Sequence, residues 1–381
     1  MKRLDSRLFL SPPHMGGTEK EYVAQAFASN YIAPLGPMTV EFEKRLCDYS
    51  GMPYCGVFAS GTAAIHLALM CLDVQPGDRV ICPSFTFCGT VNPVIYCGAV
   101  PVFVDSEKES WNMDPDLLEE AIVNETAANH RIAAVIAVHM YGMPYQVDRI
   151  NTVARKYDIP VIEDAAEALG SSYQGCKAGS LGDYGIYSFN GNKIITSSGG
   201  GALLTKSADD AKRAVFLSTQ ARDPKPYYEH SVIGYNYRMS NIVAAVGCGQ
   251  MDVLEERVRR RRQINQIYRR FLEPVEGIVF QNESFPGVYS NYWLTTVLLD
   301  QNIFPEPEII RQKFEEYNIE TRALWKPLHL QPVFRKMGCR VYGGKVCEEL
   351  FTDGLCLPSG TAIDDQLLGD VADLLISCKK G

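Results

Sequence analysis

Residues 132–164, IAAVIAVHMYGMPYQVDRINTVARKYDIPVIED, decide the fold. Ile132–Val138 is an unbroken apolar run, as a strand buried on both faces requires. Val147–Tyr157 reads as a helix, and Pro160–Glu163 returns as a second short β-rich run. Strand, helix, strand over this length is the crossover unit of a parallel sheet.

Working outward, the alternation extends from Cys55 to about Thr205. Further strands are expected at Cys55–Ala59, Arg79–Cys82, Val100–Val104, Gly185–Phe189 and Ala202–Thr205, with helices at Thr62–Leu72 and Asp114–Ile122. The pattern predicts an α/β fold, a mostly parallel central sheet with helices on both faces. From Asn241 to about Leu272 one long helical pattern runs without Pro, small and apolar first and charged later. Beyond it, Trp293–Leu299 reads as a strand and Glu306–Tyr317 as a helix, so a smaller α+β domain is expected. The division predicted is 1–255 for the large domain and 256–381 for the small one.

Composition narrows the partners. Hydrophobic residues make up 46% and charged residues 22% of 381, the balance of an ordinary soluble protein. A net charge of −8 argues against a nucleic-acid partner, which needs clustered positive charge. One basic run, Arg257 with Arg259–Arg262, stands beside Glu255–Glu256 and reads as a solvated or subunit-facing stretch of helix. The 12 cysteines include no C-x-x-C pair and no zinc pattern with histidine, so no metal is expected. Most, like Cys82 and Cys97, sit in apolar runs as small hydrophobes, and reduced thiols point to the cytoplasm. Met1–Asp5 is followed by no long apolar run, so no signal peptide is expected. No stretch reaches the ~20 apolar residues of a membrane span.

In such sheets ligands sit beyond the carboxyl ends of the strands. Ser60-Gly61-Thr62-Ala63 follows a strand and opens a helix, where free amides and the helix dipole suit a phosphate, although on this element alone a plain N-cap with no ligand is the favoured reading. Asp164 ends an apolar strand, either as the N-cap of the next helix or as the partner of a protonated ring nitrogen. In Tyr187-Ser188-Phe189-Asn190-Gly191-Asn192-Lys193 a strand runs into a turn that presents one lysine. A lysine in a pocket forms an imine when its surroundings favour the neutral amine. An exposed turn lysine is the alternative, but it leaves Gly199-Gly200-Gly201 without a purpose. Gly234-Tyr235-Asn236-Tyr237-Arg238-Met239 is an aromatic-rich loop before the long helix.

Together these phrases resemble the DegT family of sugar-nucleotide aminotransferases, and the resemblance runs from about Leu10 to the C-terminus. It implies the type I aminotransferase fold and pyridoxal 5'-phosphate as cofactor. Lys193 would carry the cofactor as an imine and, once freed, move a proton as general base and acid. Asp164 would bind the pyridinium nitrogen, and Glu167 would sit near the ring hydroxyl. Ser60, Gly61, Thr62 and Ser188 would hold the phosphate, with Asn236 reaching in from a second subunit and Phe87 stacking on the ring. A homodimer with shared sites follows. Many relatives have Gly-Glu-Gly-Gly where this chain has Ser198-Gly199-Gly200-Gly201, so no proton-transfer role is assigned there.

Four further phrases resemble enzymes that aminate C4 of a UDP-linked 4-keto-6-deoxy-N-acetylhexosamine with L-glutamate as donor: Phe9–Met15, Ser29–Gly36, Ile194–Gly199 and Leu324–His329. They nominate Asn30, Tyr31, Ile32, Ala33, Arg322, Trp325 and His329 as substrate contacts, with Arg322 offering a fork to the diphosphate. Amination at C3, or of a GDP- or dTDP-sugar, is the alternative within the family. A sugar dehydratase of this fold would carry histidine at position 193. A non-catalytic sensor would have no need of lysine, aspartate and phosphate-binding residues together.

Overall fold

The computed structural model describes residues 2–380. The apolar runs form strands β1 (Tyr54–Phe58), β2 (Arg79–Pro83), β3 (Val100–Val104), β4 (Ile132–Val138), β5 (Val161–Asp164), β6 (Tyr184–Ser188) and β7 (Gly201–Thr205). Short strands follow in the C-terminal part, among them β8 (Ile278–Phe280), β9 (Thr295–Leu299), β10 (Arg322–Ala323) and β11 (Val341–Tyr342). The last is β12 (Gly354–Leu357). The large sheet has the order β1-β7-β6-β5-β4-β2-β3-β11. Its pairings are parallel except for those of β7, which is antiparallel to both β6 and β1. The mostly parallel sheet expected from the sequence is therefore the one observed. Strands β4 and β5 are almost wholly buried, which explains their lack of polar alternation.

Because β1, β2, β5 and β6 run the same way, the residues that follow them emerge along one rim. Ser60–Thr62, Phe87, Asp164 and Ser188 all belong to that rim. A second, antiparallel sheet, β8-β9-β12-β10, has its own apolar cluster around Tyr268, Phe304, Phe314 and Val371. The C-terminal part also returns to the large sheet, where β11 adds to β3 as the edge strand.

Three local expectations need correction. The long helix is two helices, Asn241–Met251 and Leu254–Leu272. Between them Val253 leaves helical geometry (φ −111°, ψ 1°), and the side chain of its neighbour Asp252 is bound by Thr18 Oγ1 (2.9 Å) and Arg45 Nη1 (2.6 Å), contacts invisible to periodicity. The helix expected to end at Ile122 continues to Ala127. Its polar last turn hides a buried acid, Glu125, held by Arg79, His130 and Arg340. The basic run is not simply solvated. Arg257 and Arg261 are buried, while Arg260 and Arg262 pair with Asp365 and Glu283. Among the described residues no helix is long and apolar enough to cross a membrane.

Candidate active site

At the strand rim lies a cavity of about 440 Å³ whose wall includes Gly61, Thr62, Phe87, Asp164, Glu167 and Lys193. Ser60, Ser188, Arg322 and Trp325 also face it. One end is built by the helix Gly61–Cys71. Its N-cap is Ser60, whose Oγ accepts the Ala63 N–H at 3.0 Å. The amides of Gly61 and Thr62 have no partner within the helix, so this end of the cavity offers N–H donors to an anion. The glycines let the backbones meet: a Cβ at Gly201 would lie 2.3 Å from the Gly61 nitrogen. That approach gives the last residue of the Gly199–Gly201 run a purpose.

Lys193 stands at the centre, its side chain 12% exposed and its Nζ 3.6 Å from Glu167 Oε1. Glu167 is held in turn by the Tyr141 N–H at 2.8 Å. Burial raises the Glu167 carboxyl above its ordinary range, opposed chiefly by the positive charge of Lys193. Trp293 closes one side, with its ring centre 4.1 Å from Lys193 Nζ.

Asp164 ends β5 with 5% exposure. Burial raises its pKa; donation from Thr90 Oγ1 (2.8 Å) and the Ala166 N–H (3.1 Å) works against the rise. Thr90 Oγ1 also lies 2.9 Å from Thr86 Oγ1. A hydroxyl has one proton, so when Asp164 is ionised Thr90 donates to it and Thr86 donates to Thr90. A dehydrated carboxylate with these few donors favours any opposite charge brought into the cavity.

A second cavity of about 290 Å³ adjoins the first and shares Asn192, Trp293, Arg322 and Trp325 with it. Its outer wall is the segment Phe9–Pro13. Arg322, at the junction, is bound to Glu320 Oε1 through Nε (2.9 Å) and Nη2 (2.6 Å).

Six of the expected positions, in three places, do not reach the cavities of their own chain. Asn236 is exposed and its backbone bridges to Thr219. The loop Asn30–Ala33 is exposed and tied to Asn241, which donates to the carbonyls of Tyr31 (2.7 Å) and Ala33 (2.9 Å). The ring nitrogens of His329 are engaged by Ser84 Oγ (2.6 Å) and Glu348 Oε1 (3.0 Å), so it braces the loop after β2. Sequence reasoning passed over Thr90, Trp293 and Ser11. Thr86 and Thr90 follow the same strand end as Phe87, and that placement is the one signal that would have nominated them.

The model of the DegT/DnrJ/EryC1/StrS aminotransferase family matches residues 13–375. EpsN of Bacillus subtilis (strain 168), a candidate pyridoxal phosphate-dependent aminotransferase, is 48% identical over 375 residues, covering 98% of this chain and 96% of EpsN. The GDP-perosamine synthase of Caulobacter vibrioides is 35% identical over 359 residues, covering 94% and 95% respectively. The pyridoxal phosphate form of Spr1654 from Streptococcus pneumoniae, a candidate sugar aminotransferase, superposes with a TM-score of 0.90. It is 27% identical, and 98% of each chain is covered.

Proposed function

The chain belongs to the DegT/DnrJ/EryC1/StrS family and is a pyridoxal-phosphate-dependent aminotransferase, and from that premise we propose that it aminates C4 of a UDP-linked 4-keto-6-deoxy-N-acetylhexosamine, with L-glutamate as donor. The observation that carries the chemistry is the meeting of Lys193, Asp164, Glu167 and the helix amides of Gly61 and Thr62 in one cavity, while the choice of sugar rests on the resemblance of the phrases Ser29–Gly36 and Leu324–His329. These residues fit the cofactor: amides for a phosphate, a buried carboxylate for a protonated ring nitrogen and an amine for an aldehyde. When bound, pyridoxal phosphate supplies the carbonyl that accepts an amino group and the electron-withdrawing ring that makes the neighbouring C–H acidic.

The rest falls to the chain's own residues. Lys193, freed by the incoming amino acid, would take the proton from the donor Cα and deliver it two atoms along, to C4′ of the cofactor, as general base and then acid. Asp164 keeps the ring nitrogen protonated, and its burial strengthens that pairing. Gly61, Thr62 and Ser188 anchor the phosphate, while Phe87, half-exposed at the rim, packs on the ring. Glu167 orients the ring hydroxyl and holds Lys193 when it is free.

Asn236 and the loop Asn30–Ala33 serve the site of a second copy in this reading. Exposed apolar side chains flanking both support it: Leu35, Tyr228 and Ile233 are 73%, 78% and 80% exposed, apolar surface suited to a partner. Arg322, released from Glu320, grips the diphosphate as a fork, and Trp325 packs beside the sugar.

A second reading, a GDP-linked sugar, is favoured by the identity to the GDP-perosamine synthase. The test incubates the enzyme with glutamate and UDP-, dTDP- and GDP-4-keto-6-deoxy sugars and reads product mass. An amino sugar formed from the UDP-N-acetyl substrate alone is expected. Turnover confined to the GDP-sugar would replace the proposal with the second reading.

A further inference from the structure

Building on the reading of Lys193 as the imine-forming residue, the surroundings of its peptide carry one step more. Trp293 meets the lysine twice. Its ring centre lies 4.1 Å from Nζ, and its Nε1–H donates to the carbonyl of Asn192, the peptide before the lysine, at 2.6 Å. The same carbonyl accepts a second bond from Ser11 Oγ at 2.7 Å. Ser11 is itself bound by Arg261 Nη2 (2.6 Å), and Arg261 Nη1 donates to the carbonyls of Trp293 (2.9 Å) and Ser359. The N-terminal segment, the Leu254–Leu272 helix and the loop before β9 thus converge on one carbonyl. We propose that Trp293 is the positioning residue of Lys193: its N–H clamps the main chain of the lysine, and its ring face holds the charged amine whenever the lysine is free of the cofactor.

The physics gives this a distinctive signature. A cation over an indole face is stabilised by the ring quadrupole, more so when water is excluded, and Trp293 is 1% exposed. Capture of pyridoxal phosphate joins Nζ to the aldehyde carbon and releases the oxygen as water, with no change of oxidation state. The rate of capture therefore reports how well the amine is placed where the aldehyde enters. A ring face that holds the amine at one place in the cavity raises that rate. The other charged groups facing the amine are Glu167, Asp164 and, on the cavity wall, Arg322. All three are unchanged by substitution at position 293.

The test follows capture of added pyridoxal phosphate by the cofactor-free full-length protein, by the rate of rise of visible absorbance. Trp293→Phe keeps a ring face and loses the N–H, whereas Trp293→Leu loses both and leaves the site similarly apolar. Capture by Trp293→Leu is expected to be about two- to five-fold slower than by Trp293→Phe. Ser11→Ala removes the other clamp by deleting a single hydroxyl and keeps the clamp testable if a Trp293 variant fails to fold. Trp293→Phe and Ser11→Ala are each expected to slow capture relative to the wild type, by about two- to ten-fold. Equal capture rates for the two Trp293 variants would overturn the role of the ring face. Wild-type rates in Ser11→Ala would overturn the clamp. Capture by Lys193→Ala would instead overturn the reading of Lys193 on which the inference rests.

Discussion

Thr90 Oγ1 donates to Asp164 Oδ2 over 2.8 Å, joining the loop after β2 to the end of β5 across 74 positions of sequence. Both residues are buried, and Thr86 stands behind Thr90 at 2.9 Å. The carboxylate that faces the cavity is therefore aimed by the Thr90 hydroxyl and the Ala166 N–H, with no charged side chain among the described residues supplying a hydrogen bond to it.

Replacing Thr90 with Val keeps the shape and removes the donor. A hydrogen bond to a buried charge contributes about 1.5–3 kcal/mol, so the affinity for pyridoxal phosphate is expected to fall by about ten-fold or more. Thr90→Ser, which restores the hydroxyl, should recover most of it. Fluorescence titration of the cofactor-free proteins measures both.

Asp164 also gives a pH-dependent stability. Its folded pKa is raised by burial, so the cofactor-free folded protein binds this proton more tightly than the unfolded chain. Stability is then lost as pH rises from the ordinary carboxylate range through the raised value. Asp164→Asn removes that loss. The variant is expected to gain on the wild type in melting temperature as pH is raised, while losing activity by about a hundred-fold or more. A melting difference that stays constant with pH would contradict the argument.

What was legible in the sequence follows from the range over which each feature is decided. The strands β2 to β5 and the helix opening at Gly61 show in runs of adjacent residues, because burial on both faces and capping are local demands. Asp164 and Lys193 were nominated because they lie at strand ends. Thr90, Trp293 and Ser11 were not, since each matters only through a partner 74, 101 or 181 positions away. Arg261 is the clearest case. Within a run of arginines it looked solvated, yet it reaches Ser11 across 250 positions and lies in the interior. His329 failed in the opposite sense, because a histidine in a suggestive phrase has both ring nitrogens engaged by Ser84 and Glu348.

That arginine run separates two outcomes. Burial, with Arg257 nearby, presses the Arg261 pKa down to about 9, which still leaves it charged at neutral pH. Arg261→Met leaves two carbonyls and a hydroxyl short of a donor and is expected to cost about 3 kcal/mol or more. Arg260→Ala, which breaks a pair with the exposed Asp365, should cost about 1 kcal/mol or less. Denaturant unfolding of the two variants compares them.

Glu163, next to Asp164, serves the frame and not the chemistry. It accepts the amides of Gly179 (2.6 Å), Leu181 (2.7 Å) and Gly182 (3.0 Å) and bonds His139 Nε2 at 2.6 Å. His139 Nδ1 accepts the Tyr145 N–H at 3.4 Å, so Nε2 carries the proton given to Glu163. Glu163→Gln turns an amide group toward those donors and is expected to destabilise by about 3 kcal/mol. Thermal melting reads the loss.

The central claim is that Lys193 holds the cofactor, and one measurement bears on it most directly. The protein is loaded with pyridoxal phosphate, reduced with borohydride, digested and analysed by mass. The pyridoxyl mass is expected on the peptide that contains Lys193, together with a visible absorbance band that Lys193→Ala abolishes. A label on any other lysine, or an unaltered band in Lys193→Ala, would contradict the account.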